Sequence, residues 1–204
     1  MPTNSKKKVE RRSNAERSAE TQERILEATL ECLSERGYAA TSTNEVVRRA
    51  GVSRGALVHH FSSKSDLVAA AAVHLIRKRY ATTQEQAREL EGGEPSIHDK
   101  LAVRRRDYER WFPATIEFMV ACRTDKALSE SFTRAMLPYE ESMGQSIMDE
   151  WPELKNHESP LMIQYVTGCF IRGLCLEAIV NPTSLTDEIF EEFVKMVETY
   201  AKHG

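Results

Sequence analysis

The residues best suited to chemistry lie between Thr41 and Lys64, and their types suit holding an anion rather than breaking a bond. Thr41, Ser42 and Thr43 put three hydroxyls ahead of an apolar pair, Val46-Val47, and Ser53 stands directly before Arg54-Gly55. A hydroxyl at a helix start, beside free backbone N–H groups, meets phosphate oxygens well. Arg54, His59, His60 and Lys64 add cationic or titratable groups over the next ten residues, with Lys64 at another helix start. The His59-His60 pair is not a metal site, because neighbouring helical residues diverge by about 100° and no further ligand recurs four residues on. Catalytic patterns are missing: there is no HExxH, no Glu-x-x-His, no Gly-rich phosphate loop and no GxSxG. His74, His98, His157 and His203 are isolated, and carboxylate pairs such as Asp149-Glu150 and Glu191-Glu192 read as solvated helix faces. No catalytic residue, metal or cofactor is expected, and the chain does not read as an enzyme.

Two short helices must position these groups. Ser42-Thr43-Asn44-Glu45 has the form of a capping box, with Val46, Val47 and Ala50 on the apolar side of the helix it opens. Gly51 supplies a left-handed turn, Val52 fills the corner, and Ser53 caps a second helix whose Leu57 and Phe61 point inward. That is the spacing of a helix-turn-helix, although two capped short helices also occur in ordinary bundle packing. Arg48 and Arg49 can equally be plain solvated charges, and the same alternative exists for Arg54.

Flanking elements are helical throughout. Ile25, Ala28/Thr29 and Cys32/Leu33 recur at helical spacing from about Ala19, and Gly37-Tyr38 stops that helix. Ser63-Lys64-Ser65-Asp66 is a second capping box, opening a long helix towards Leu90 that Gly92-Gly93-Glu94-Pro95 ends. Further helices are expected over 97–111, 113–122, 126–150, 160–180 and 186–202, punctuated at Pro113, Pro152, Pro160 and Pro182, with Pro138 dividing the third. No alternating strand pattern and no internal repeat is present. The expected fold is all-α: a flexible basic arm over 1–17, a three-helix unit holding the helix-turn-helix spacing over 18–66, and a helical bundle over 67–204.

Charge follows the same division. The 204 residues are 41% hydrophobic and 29% charged, with 28 Lys+Arg against 31 Asp+Glu and a net charge of −3. Residues 1–64 hold 12 basic and 8 acidic side chains, whereas residues 65–204 hold 16 and 23. A basic front on an acidic body points to a polyanion partner for the front, and Lys6-Lys7-Lys8 could enter a minor groove or merely aid solubility. No signal peptide is expected from residues 1–20, and the apolar stretches Leu67–Ile76 and Leu161–Val180 are broken by His74 and by Gln164, Arg172 and Glu177. Cys32, Cys122, Cys169 and Cys175 form no CxxC pair and read as reduced apolar residues, so a cytoplasmic location without a membrane partner is expected.

The run Arg24-Ile25-Leu26, Gly37-Tyr38, Thr41-Ser42-Thr43, Ala50-Gly51-Val52-Ser53-Arg54-Gly55 and His60-Phe61-Ser62-Ser63-Lys64-Ser65-Asp66-Leu67 resembles the N-terminal domain of TetR-family transcriptional regulators. The resemblance covers about residues 19–70. It implies a homodimeric repressor that binds duplex operator DNA and leaves it when a small hydrophobic effector binds the body. Carried over by position, Thr41, Ser42, Thr43, Ser53, Arg54, Gly55, Leu57, His59, His60 and Lys64 become the candidate DNA-binding residues. Two positions depart from the family pattern: Val58 stands where Tyr is usual, and Thr43 where an apolar residue is common.

Beyond residue 70 the resemblance is one of helical plan only. Trp111, Phe118, Cys122, Met143, Tyr165 and Cys169 recur at helical spacings and are candidates for an effector pocket, although such a stripe is more often core. Gln164, Tyr165 and Arg172 could orient a polar ligand end, or simply lie on a helix surface. The last two helices, one apolar round most of its circumference with Gly168 and Gly173, the other carrying Ile189, Phe190, Phe193, Met196, Val197 and Tyr200, are the expected dimer interface. The competing readings are a DNA-binding regulator without small-molecule control and a helical-bundle enzyme.

Overall fold

The computed structural model describes residues 13–89, 95–140, 144, 151, 160–182 and 185–203. All the regular elements among them are helical: α1 (Asn14–Ala40), α2 (Thr43–Ala50), α3 (Arg54–His60), α4 (Lys64–Glu89), α5 (Ile97–Thr124), α6 (Lys126–Met136), a short 3-10 turn (Leu137–Tyr139), α7 (Pro160–Val180) and α8 (Thr186–His203). The protein is all-α.

Several boundaries differ from the sequence expectation for local reasons. Helix α1 begins five residues before Ala19, inside the stretch read as a flexible arm, because Ser13 and Glu16 form a reciprocal capping box. Gly37 breaks the helical geometry with φ +74°, as expected, but one further turn follows before Thr41. Helix α5 runs straight through Pro113, where a break was expected. The ring removes one backbone donor, a loss offset by the burial of Phe112 and Ala114 on either side. Helix α6 stops at Met136, and Pro138 sits in the 3-10 turn that follows. The rest of the 126–150 segment, Gly144 apart, lies outside the described residues.

Three apolar clusters hold the helices together. The first joins Ile25, Leu30 and Leu33 of α1 to Val46, Leu57, Leu67 and Val68, and continues without interruption into Ala114 and Ala121 of α5 and Leu128 of α6. The front three helices therefore share their core with the body, and no packing boundary falls at residue 66. Leu101, Trp151, Leu174, Phe190, Phe193 and Val197 form a second cluster between α5, α7 and α8. Tyr108 and Phe112 meet Ile171 and Cys175 in a third. Polar links reinforce the first: the Glu27 carboxylate accepts from Lys78 Nζ at 2.6 Å and lies 2.8 Å from His74 Nε2, while Arg79 of α4 reaches Asp107 of α5 at 2.5 Å.

The four cysteines are free thiols, Cys32 and Cys175 buried, Cys122 half-buried and Cys169 exposed. Burial pushes the Cys175 thiol up to about 11, so it behaves as a small apolar side chain. Within α7, Met162–Val180 is long and apolar enough by length and composition to cross a membrane, and a third of it is buried within the protomer. Its buried face includes Gln164 and Thr167, and its exposed face is considered below.

Candidate nucleic-acid interface

The front of the molecule is built around a tight turn. Gly51 takes the left-handed conformation (φ 61°, ψ 40°) that ends α2, and Ser53 accepts from Ala56 N–H at 3.1 Å to start α3. Arg24 of α1 locks this turn by donating to the carbonyls of Ala50 at 2.5 Å and Gly51 at 3.0 Å. A Cβ on Gly51 would lie 2.9 Å from that guanidinium. The turn residues were legible in the sequence, whereas the part played by Arg24 was not, because its partners are backbone carbonyls 26 and 27 residues away.

Helix α3 presents one face outward. Arg54, Gly55, Val58 and His59 are exposed at positions i, i+1, i+4 and i+5, and His60 is half-buried. Arg54 makes no ion pair or hydrogen bond among the described residues, so its five donors are available to a partner. Val58, which stands where Tyr is usual, is 60% exposed in the middle of this face and offers an apolar surface such as a thymine methyl would take. Ser42 caps α2 by accepting from Glu45 N–H at 3.3 Å, and Ser42 and Asn44 are exposed beside it.

Three sequence candidates are placed elsewhere. Leu57 is 3% exposed in the first core, since it lies about 100° round α3 from Val58, on the inward side. Thr41 is 2% exposed, and its hydroxyl donates back to the Gly37 carbonyl at 2.8 Å, closing the end of α1. Neither side chain reaches the surface. Lys64 directs its ammonium not outward but to the carbonyls of Tyr38 (2.6 Å) and Ala39 (3.5 Å), over the Tyr38 ring at 4.3 Å, and this burial pushes its pKa below the usual lysine value.

The expected capping boxes are half formed, because their acids serve other partners. Glu45 takes Arg48 in a bidentate pair (2.7 and 2.9 Å) and Arg49 at 3.1 Å, and these bonds pull its carboxyl down to about 2. Arg49 also reaches Glu35, and Arg36 reaches Glu45 at 3.3 Å. The basic side chains of α2 are therefore spent inside the domain. Residues 13–64 carry seven basic and seven acidic side chains, so the net +4 of the front resides in residues 1–12, with Lys6, Lys7, Lys8, Arg11 and Arg12 against Glu10.

A polar clasp ties this interface to the body. Tyr38 N–H donates to Glu117 Oε2 of α5 at 2.8 Å, and Tyr38 OH donates to Asp125, the residue that caps α6, at 2.5 Å. Midway along α6, Ser131 donates to Asp66 in the first turn of α4 at 2.8 Å. Glycine is needed at Gly37 for its φ of +74°, and a Cβ there would also meet Glu117 Oε2 at 2.7 Å and push that carboxylate off the Tyr38 N–H. In the sequence Gly37-Tyr38 reads only as a helix stop. Burial first, and then the bond to Asp125, raise the Tyr38 phenol to about 12, while the same bond lowers Asp125.

The linkage signs follow. A phenol raised in the folded state contributes stability that is whole below its ordinary value of 10.0 and fades as pH rises through about 12. A carboxylate lowered in the folded state contributes stability that is whole above its ordinary 3.8 and fades as pH falls through its folded value. Tyr38→Phe is therefore expected to cost about 1 kcal/mol, evenly between those limits. Urea melts at several pH values check this, and a variant stability curve parallel to wild type above pH 10 would contradict it.

The effector candidates do not come together. Trp111, Phe118 and Cys122 pack against the first core, where Phe118 meets Phe132 at 4.9 Å, so they wedge α5 against α1 and α6. Tyr165 is 72% exposed, and Cys169 lies exposed on the outside of α7 with its Sγ accepting from Arg172 at 3.1 Å. Met143 is outside the described residues. Among the described residues, no group of three or more His, Cys, Asp or Glu side chains could hold a metal ion.

Comparison with known proteins agrees with this geometry. Residues 25–71 match the model TetR_N, bacterial regulatory proteins of the tetR family. The chain is 29% identical over 184 residues to an uncharacterized HTH-type transcriptional regulator of Mycobacterium tuberculosis, spanning 87% of this chain and 92% of that protein. It is 32% identical over 127 residues to the HTH-type transcriptional regulator CymR of Pseudomonas putida, covering 62% of this chain and 63% of that one. The crystal structure of a TetR-family transcriptional regulator from Rhodococcus sp. superposes with a TM-score of 0.67 at 20% identity, covering 89% of this chain and 98% of that one, a likeness of fold.

Proposed function

The chain belongs to the TetR family of helix-turn-helix transcriptional regulators, whose members are not enzymes, and from that premise we propose that it acts as a homodimeric repressor released from its operator by a small, largely hydrophobic effector. The observation that carries the DNA-reading part is the outward face of α3, where Arg54, Gly55, Val58 and His59 stand clear of every core contact between two capped helix starts. Arg54 reads a guanine edge, while Ser42, Thr43 and Ser53 contact phosphates at the helix starts. Lys64 reaches phosphate only by leaving the Tyr38 carbonyl, so its contribution is smaller than its charge suggests.

The dimer reading rests on an apolar surface left open by one protomer. Met162, Val166, Leu176, Ile179 and Val180 of α7, and Ile189, Met196 and Tyr200 of α8, are all exposed. A stripe of this size, continuous on two neighbouring helices, calls for cover, and a second copy related by a two-fold axis provides it isologously. Two copies of α3 then meet half-sites one helical turn apart, or a multiple of it. The protein works in the cytoplasm, beside the DNA it reads, and needs no cofactor.

Control passes through the clasp. An effector that favours one packing of α5 and α6 acts on Tyr38 through Glu117 and Asp125, and on the start of α4 through Ser131 and Asp66. Both recognition helices then shift, and a fixed half-site spacing no longer fits them together. Gel-shift titration of the full chain on the DNA flanking its own gene, followed by hydrophobic compounds, tests this reading. Release by at least one compound is expected, and binding that no compound weakens would leave a regulator without small-molecule control.

The charge distribution makes a separate prediction. Each cation that neutralises a phosphate adds about 0.9 to the slope of log affinity against log salt. Because the net +4 lies in residues 1–12, their removal is expected to flatten the slope and weaken binding about tenfold or more at 0.1 M salt. An unchanged slope would assign the phosphate contacts to the helices alone.

A further inference from the structure

Val58 holds a position that neither the core nor its own helix calls for. It is 60% exposed and belongs to none of the three apolar clusters. It also lies inside a helix of only seven residues, where a β-branched side chain is a poorer helix former than alanine. Three residues earlier, Gly55 is as little required by the protomer. Among the described residues the left-handed glycines are Gly37 and Gly51, so no positive φ demands glycine at Gly55. A Cβ built on Gly55 meets only Ser53 Oγ at 3.8 Å, an ordinary contact. Residues three apart are neighbours on a helix surface, so the missing side chain leaves a notch beside the Val58 methyls, and Arg54 borders it one turn before Val58. In a helix a valine is held largely in one χ1 rotamer, so these methyls form a fixed surface with little freedom to lose on contact.

We propose that Val58 is a specificity-determining residue that reads the 5-methyl group of a thymine seated in the notch beside Gly55. Valine has no donor or acceptor, so it can bond neither a phosphate nor the polar edge of a guanine, adenine or cytosine. Pressed against one of those edges, it would strip water from a polar group and return nothing. The thymine methyl is the one apolar group that the base pairs present in the major groove. Val58 follows Arg54 by four residues, about 6 Å along α3, which is close to two base-pair steps. The thymine therefore falls within about two base pairs of the guanine that Arg54 reads. Base reading by α3, as proposed above, is the premise, and Val58 adds to it a base identity and an offset.

The test takes the full-length protein and an operator that it selects from random duplex DNA. Each thymine of that operator is replaced in turn by uracil, which removes the methyl and keeps every hydrogen-bonding group. In anisotropy titrations at fixed salt, the wild type is expected to lose about fourfold in affinity at one thymine of each half-site, the worth of one buried methyl group. Val58→Ala is expected to bind the thymine and uracil operators alike, and to melt no lower than the wild type because Val58 is exposed. The proposal is overturned if no uracil weakens the wild type, or if the discrimination survives undiminished in Val58→Ala. Arg54→Ala separates this outcome from a failure of the premise. Relaxed preference at a guanine in Arg54→Ala, with no effect of uracil at any position, removes the role of Val58 alone. Base preferences that neither substitution alters remove base reading by α3, and the proposal with it.

Discussion

Gly173→Arg is expected to turn the proposed dimer into a monomer and to weaken operator binding by about 100-fold or more, because two linked half-site contacts become one. Gly173 sits on the exposed stripe of α7, and a Cβ built there meets nothing within 4 Å in the protomer. The substitution therefore disturbs no contact of the folded chain. Replacing a mid-helix glycine should even favour α7 intrinsically, by roughly 0.5–1 kcal/mol. A stable protomer that no longer pairs is the distinctive outcome, read by light scattering together with thermal melting. The nearby Gly168 behaves differently: a Cβ there would come within 3.3 Å of Arg172 and of Tyr108 Oη, so its substitution disturbs the interior as well. A Gly173→Arg protein that stayed dimeric would move the interface away from α7.

Arg54→Ala is expected to cost about 1–3 kcal/mol per half-site and to relax base preference at one position of each half-site. Two protomers double the effect on the full operator. Stability should not change, since the Arg54 side chain is exposed and makes no ion pair or hydrogen bond among the described residues. Competition binding against operators substituted at each position separates this outcome from a general loss of phosphate affinity. Weakening that is equal for all sequences would make Arg54 a backbone contact.

The helix-turn-helix was legible because its determinants are local. Gly51, Ser53 and the Val46/Leu57/Phe61 pattern act within a turn or two of themselves, and backbone sterics leave them little choice. The continuous passage of α5 through Pro113 was not legible, since tertiary burial of Phe112 and Ala114 outweighs a local breaker. Burial of Thr41 and the inward turn of Lys64 escaped for the same reason, both depending on how the end of α1 packs. The clasp of Tyr38 with Glu117 and Asp125 spans 79 and 87 residues and leaves no spacing to read. Charge was half legible: the positive front is real as a sum, but pairing within residues 13–64 leaves the excess in residues 1–12.

The most direct test of the account is footprinting of the full-length protein on the DNA flanking its own gene, with the protein-to-DNA ratio measured in the complex. Protection of a two-fold symmetric site by two protomers, lost with rising salt and weakened by Arg54→Ala, is the predicted result. Absence of any saturable, salt-dependent protection, or a footprint indifferent to Arg54, would contradict it.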